Sequence, residues 1–260
     1  MQWVFDTHAL AVGTAHEVVK HGGDTWFFLT ADYAFGHSLE HDATQVIVQN
    51  GGKVIGSVAH PFATPDLSSF ILQAQASKAK IIGLASGPPD NVNAIKLGGE
   101  FGVFSGGQQM AGLLVLITDV DALGLKAAQG LLLTTWFYWD MDDKTSEWSK
   151  RFFAKIGRMP TMWQAGVYSS AMHYLKAIEA AGTDDPLKVA AKMREMPVED
   201  FFARNGHLRE DGLMVHDLLL AQVKKPEESK YPWDYYTVLT HIPGEQAFGP
   251  RNPACPLVKR

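Results

Sequence analysis

The sequence predicts an α/β protein built on a mostly parallel sheet, and three observations carry that reading. First, short apolar runs recur with little period-two alternation: TWFFLT at 25–30, KVIGSV at 53–58, KIIGLA at 80–85, GLLVLI at 112–117 and GLLLTT at 130–135. Strands buried on both faces lose the alternation of a half-exposed strand, which is the signature of a parallel sheet covered by helices. Second, helix-like segments alternate with these runs. Third, the loops after the first four runs, ADYAFG, HPFATPD, SGPPD and TDVDA, are rich in Gly, Pro, Asp and small polar residues. In open α/β sheets ligands bind beyond the carboxyl ends of the strands, so these four loops form the candidate rim.

Taken in order, residues 8–20 read as a helix closed by HGGD, and 25–30 as a buried strand. Residues 38–49 are helical and end at Gly51 and Gly52, after which 53–58 is the next strand. A helix at 68–79, a strand at 80–85, a helix at 91–101 and strands at 112–117 and 130–135 continue the alternation. The aromatic passage TWFYWD then changes the texture. Asp142 or Asp143 caps a helix running to about Ile156, GRMPTM breaks the chain, and a long helix runs from Thr161 or Met162 to Ala181 with Gly182 as its stop. A shorter helix follows TDDP at 187–195, and strand-like DLLLAQV at 217–223 can pair with 238–242 as a hairpin-like edge.

Charge and length exclude several functions. The 260 residues carry 23 basic and 28 acidic side chains, a formal charge of −5, which suits neither a nucleic-acid footprint nor a polybasic membrane anchor. Hydrophobic residues at 46% and charged residues at 20% describe an ordinary folded chain with a real core. The longest apolar run, 110–117, is far short of the roughly 20 residues that a membrane-spanning helix needs. The opening MQWVFDTHAL lacks the basic and apolar regions of a secretory signal, so no export signal is expected within this sequence. A single cysteine, Cys255, rules out an internal disulfide framework.

The sharpest motif is HSLEH, in which His37, Glu40 and His41 match the H-x-x-E-H spacing of inverted zinc peptidases. Histidines four apart share a helical face, so a zinc hydrolase is one reading; no third ligand is evident, and polar residues at a helix start ordinarily face solvent. There is no G-x-S-x-G elbow, G-x-G-x-x-G loop or phosphate-binding P-loop, and no cofactor is expected. The carboxylate pairs at 142–143, 184–185 and 227–228 read as helix caps and solvated loops. Aromatic and small polar residues do gather at the rim: Tyr33 and Phe35 after the first strand, Ser86 and Gly87 after the third, Thr118 and Asp119 after the fourth, with Trp163 heading the long helix. Pockets for small molecules combine apolar walls with a few placed polar groups.

The segments TWFFLTADYAFGHSLE, LSSFILQAQASKAKIIGLASG, AQGLLLTTWFYWD and KMREMPVEDFFARNGHLREDGLMVHDLLLAQVKKPEESKYPWDYY resemble the branched-chain amino acid class of periplasmic solute-binding proteins of ATP-driven importers, in its aromatic-acid branch. The resemblance covers essentially the whole chain. It implies a type I bilobed fold with parallel sheets, a ligand held in a cleft between lobes, closure by hinge motion, and no enzymatic activity. It implies a second lobe at 1–135, the returning part of an incomplete first lobe at 136–211, a crossing back at 212–242 and a tail at 243–260. Relatives begin with a signal peptide and a further βαβ stretch whose Ser and Thr loop holds the ligand carboxylate, so the resemblance implies an N-terminally truncated chain.

By the same resemblance Phe35, with Tyr33 and Asp32 beside it, stacks on the ligand; Ser86 and Gly87 line the opposite loop; Trp163 is an aromatic wall; and Thr118 and Asp119 lie near the position that holds a ligand amine. The implied partners are a small aromatic acid or branched-chain amino acid and a membrane permease, in a periplasmic location, with no nucleic acid. A ligand-sensing regulatory domain of the same fold is the alternative.

Overall fold

The computed structural model describes residues 1–251, which form two compact units. One contains residues 6–135 and 219–241; the other contains Met1–Phe5, Trp136–Leu218 and residues 242–251.

The first of these is the α/β unit. Its elements run α1 (Thr7–Lys20), β1 (Thr25–Ala31), α2 (Ala34–Gln49), β2 (Lys53–His60), α3 (Ser68–Ala76), β3 (Ile81–Ala85), α4 (Asp90–Glu100), β4 (Gln109–Gly112), α5 (Ile117–Leu123), α6 (Leu125–Ala128) and β5 (Leu132–Thr135). The sheet order is β2-β1-β3-β4-β5, with every one of these pairs parallel, and it continues into two later strands described below. Helices α1 and α2 pack together against β5 and β1, while α3, α4, α5 and α6 form a second packed set. Central β3 is buried at all five positions, as a strand covered on both faces must be. Edge strand β2 instead alternates between exposed and half-buried residues over most of its length.

The expected strand at 112–117 is displaced. Pairing of β4 with β3 ends at Leu84 opposite Gly112, and Leu113 to Leu116 then form a buried loop leading into α5. A Cβ on Gly112 would come 2.4 Å from Val115 Cγ2, so the chain folds tightly back there instead of extending. Burial, not strand structure, made that run apolar.

In the other unit α7 (Asp143–Ile156), α8 (Met162–Ala181) and α9 (Pro186–Glu195) precede a small antiparallel pair, β6 (His207–Leu208) with β7 (Met214–Val215). Asp142 caps α7 by accepting N–H bonds from Lys144 and Thr145, at 2.9 and 3.0 Å. Gly157 and Gly182 close α7 and α8 in the left-handed region that favours glycine. Strand β8 (Leu218–Val223) leads back into the large sheet antiparallel to β5, and β9 (Tyr236–Ile242) lies beside it at the edge. A short helix, α10 (Gly244–Ala247), follows.

The units divide differently from the sequence boundaries at three places. Met1–Phe5 groups with α7–α9, since Gln2 bonds both Gly212 and Met214 through its backbone, at 2.8 and 2.9 Å. Residues 212–218 stay in that unit because β7 pairs with β6. The expected tail at 243–260 begins with α10, whereas Cys255 lies outside the described residues. Among the described residues no helix is long and apolar enough to cross a membrane.

Candidate functional site

The rim of the α/β unit is set by a glycine. A Cβ on Gly36 would lie 2.2 Å from the Ala31 carbonyl oxygen and 2.9 Å from that of Ala85, so only glycine lets the first turn of α2 descend onto the ends of β1 and β3. The turn before it carries Asp32, Tyr33 and Phe35. The Tyr33 and Phe35 rings are 5.9 Å apart, and Tyr33 also meets Phe62, at 5.1 Å, from the loop after β2. Phe62 is 54% exposed and Tyr33 37%, so two of the three rings present open faces.

Hydrogen bonds tie the loops behind these rings. The Asp32 N–H donates to the His60 carbonyl at 2.7 Å, joining the first two loops. The Ala63 N–H donates to Asp90 Oδ2 at 3.1 Å, joining the second to the start of α4. Asp90 is fully buried and its Oδ1 has no hydrogen-bond partner among the described residues. Burial pushes the Tyr33 phenol above its usual range, and the nearby Asp90 charge adds to the shift.

Ser86 is buried, and its hydroxyl donates to Asn91 Oδ1. The Asn91 amide donates in turn to the Ser86 and Leu114 carbonyls, at 2.9 and 2.7 Å, which binds the third loop to the fourth. Gly87 sits against Leu114, whose Cδ2 would be 3.4 Å from an added Cβ. Ser86 and Gly87 therefore shape the rim from beneath. Replacing Asn91 by Ala strands two buried carbonyls and the Ser86 hydroxyl, and is expected to cost about 1–3 kcal/mol, read as a lower urea midpoint.

Thr118 and Asp119 open α5. Asp119 is 9% exposed, and its Oδ2 accepts the Leu116 N–H at 2.8 Å, so the carboxylate caps its own helix. Burial raises its proton affinity, against the pull of that N–H. One oxygen of the residue expected near a ligand amine is thus committed to backbone.

Trp163 belongs to the other unit. Its ring stacks on Phe5 at 6.2 Å, which lies 6.1 Å from Trp136, and its indole Nε1 is buried with no hydrogen-bond partner among the described residues. Thr161 and Gln164 cap the helix start around it.

The zinc reading of HSLEH does not survive the geometry. His37 donates from Nε2 to Asp32 at 2.9 Å, Glu40 accepts the Thr30 hydroxyl at 2.6 Å, and the Gln45 amide donates to His41 Nε2 at 2.8 Å. Each member faces a different partner, and no group of three or more His, Cys, Asp or Glu among the described residues could hold a metal ion.

Sequence reasoning did not single out Phe62, Asp90 or Asn91. Phe62 and Asp90 stand in loops marked as rim, but an aromatic in a proline-rich loop and an Asp before a helix each have ordinary explanations.

A family model described as periplasmic binding protein matches residues 1–230. The crystal structure of a periplasmic binding protein from Burkholderia mallei is 52% identical, with a TM-score of 0.92; the match covers 100% of this chain and 69% of that one. A branched chain amino acid ABC transporter periplasmic ligand-binding protein from Burkholderia xenovorans is 41% identical over 96% of this chain and 67% of its own, with a TM-score of 0.89. A solute binding protein of an ABC transporter from Rhodopseudomonas palustris, in complex with 3,4-dihydroxy benzoic acid, shares the fold at 17% identity and a TM-score of 0.81, over 93% of this chain and 66% of that one. No curated protein matches.

Proposed function

Since the chain belongs to the periplasmic binding protein family, we propose that it acts as an extracytoplasmic solute receptor for an ATP-driven importer, binding a small aromatic carboxylate or branched-chain amino acid without transforming it. The observation that carries this reading is the aromatic rim of Tyr33, Phe35 and Phe62 over a hydrogen-bonded set of loops at the carboxyl ends of the strands. Open ring faces on a fixed base suit a flat or branched apolar body, whose burial supplies affinity while a few polar groups supply specificity. The ligands of relatives support the same classes, and a membrane permease is the partner that the family implies.

A thermal-shift titration with 3,4-dihydroxybenzoate and with leucine tests the reading. Binding to the folded state adds about 2.7 kcal/mol at a hundredfold excess over Kd, so the midpoint is expected to rise with one of them. In Phe62→Ala, whose exposed side chain contributes little to folding, the apparent affinity is expected to fall about tenfold with the unliganded melt unchanged. A melt that neither ligand moves, or an affinity indifferent to Phe62→Ala, overturns the proposal. Trp163→Ala separately tests the aromatic-wall role that the resemblance implies.

A further inference from the structure

The loop after β2 holds a backbone conformation that its residue does not favour. Ala63 stands at φ 56°, in the left-handed region. Glycine enters that region freely and Asn or Asp with little cost, whereas an alanine there is kept in place by its surroundings. Packing does not keep it, because Ala63 is exposed. Two hydrogen bonds do. The Thr64 hydroxyl donates to the Pro61 carbonyl at 2.6 Å, closing the turn on itself, and the Ala63 N–H donates to Asp90 Oδ2 at 3.1 Å. Of the two, the second reaches outside the loop.

Asp90 is as unusual as the turn it holds. It is fully buried in the first turn of α4, whose positive end accommodates its charge. Among the described residues, however, its carboxylate accepts one hydrogen bond, from Ala63, and Oδ1 accepts none. A buried carboxylate with a single donor is expensive to keep, and what this one secures is the turn. The turn presents Phe62, which is 54% exposed with its ring 5.1 Å from that of Tyr33. Release of Ala63 from the left-handed region would swing the peptide next to Phe62, and the ring with it.

We infer that Asp90 is the positioning residue for Phe62: through the Ala63 N–H it fixes the exposed ring against Tyr33 in the free protein, so that binding need not order this loop. Ordering a loop on association costs affinity, and a ring already in place avoids that cost. The inference rests on the reading of the aromatic rim as a ligand site and says how that rim is built. The next residue, Asn91, binds the third loop to the fourth through the Ser86 and Leu114 carbonyls. Two consecutive side chains of α4 thus set three of the four rim loops.

Two measurements on the 260-residue chain test this, one of them without ligand. Amide hydrogen exchange at Ala63 is expected to be at least about tenfold faster in Asp90→Ala than in the parent, and close to the parent in Asp90→Asn, whose side-chain carbonyl still accepts. Leu116, whose N–H is held by Asp119 at 2.8 Å in the fourth loop, is the control, since a general loss of stability speeds both amides. Exchange at Ala63 that is unchanged in Asp90→Ala, or that rises no more than at Leu116, overturns the inference whatever the ligand. Ala63→Val strains the same turn from an exposed position, without touching a buried residue, and is expected to speed exchange at position 63 likewise. The second measurement is affinity for whichever of 3,4-dihydroxybenzoate and leucine the parent binds. Asp90→Ala is expected to lower it about tenfold, but less than about twofold where Phe62 is already replaced by alanine. Equal losses in the two backgrounds overturn the inference, because Asp90 then acts otherwise than through Phe62. A parent that binds neither ligand overturns the receptor reading instead, and exchange at Ala63 still decides whether Asp90 holds the turn.

Discussion

Gly36→Ala is expected to abolish stable folding of the α/β unit. Glycine to alanine inside a helix ordinarily stabilises by about 0.5–1 kcal/mol, because alanine loses less backbone entropy on folding. At position 36 the sign reverses. The added methyl would sit 2.2 Å from the Ala31 carbonyl oxygen and 2.9 Å from that of Ala85, well inside contact distance, and both obstacles are backbone at the ends of paired strands. No side chain can swing aside. Relief requires α2 to lift from the sheet, which would uncover Leu39, Ala43 and Ile47, all fully buried. Losses above about 4 kcal/mol are exceptional for one methyl group and place the effect in the class of core overpacking. Gly99→Ala is the control: it lies exposed near the end of α4, where the nearest atom to an added Cβ is 3.9 Å away. Urea unfolding is expected to show Gly99→Ala slightly more stable than the parent and Gly36→Ala without a cooperative transition. A Gly36→Ala variant as stable as the parent would refute the close approach.

Stability is also expected to fall steeply in mild acid on account of His216. This imidazole is completely buried among Trp136, Phe202 and Phe248, with ring centroids 6.5, 4.8 and 6.1 Å away, and its Nε2 has no hydrogen-bond partner among the described residues. Burial penalises the charged form and takes its pKa from 6.5 down to about 3. In the unfolded chain the same ring takes up its proton near pH 6.5. Below that pH the unfolded state binds a proton that the folded state refuses. The His216 contribution is therefore intact above about pH 6.5 and declines by about 1.4 kcal/mol per pH unit toward pH 3. Asp119, with its pKa raised by burial, acts in the opposite sense and weakens the fold as pH rises through its folded value. Asp142 and Asp211, both held below the usual carboxylate value of 3.8, begin to cost stability only as pH approaches that value. A comparison of urea unfolding at pH 7.0 and 5.0, in parent and His216→Phe, isolates the imidazole. The parent is expected to lose about 2 kcal/mol over this interval and the variant much less; parallel losses in both would show that another group is responsible.

The elements that could be read from sequence are those whose signals are local. Thr161, Gln164 and Gly182 mark α8 within a residue at each end because capping and the left-handed stop are decided by neighbours in the chain. The same holds for Asp142 at the start of α7. GLLVLI misled because burial and strand structure produce the same apolar run, and only the tight turn at Gly112 separates them. Tyr33 and Phe35 were legible as rim residues from their place after a strand, and the structure brings them together. Phe62 and Asp90 were not, since what distinguishes them is contact with residues 27 to 29 positions away: Phe62 with Tyr33, and Asp90 with Ala63. Nor could the sequence separate a zinc face from three unrelated hydrogen bonds in HSLEH, because equal spacing serves both.

The pairing of Gln2 with the Gly212–Met214 segment gives the molecule an order of assembly. Five parallel strands and their helices occupy one unbroken stretch, residues 6–135, so the core of the α/β unit can take shape while later sequence is still emerging from the ribosome. The other unit has no such autonomy. Residues 1–5 are held by a segment more than 200 positions downstream of them, which supplies their backbone bonds. The entropy of closing so long a loop, and the slow search that accompanies distant contacts, fall wholly on that unit. Until Trp136, Trp163, Ser169 and His173 have followed during synthesis, Trp3 and Phe5 are apolar side chains without their final neighbours.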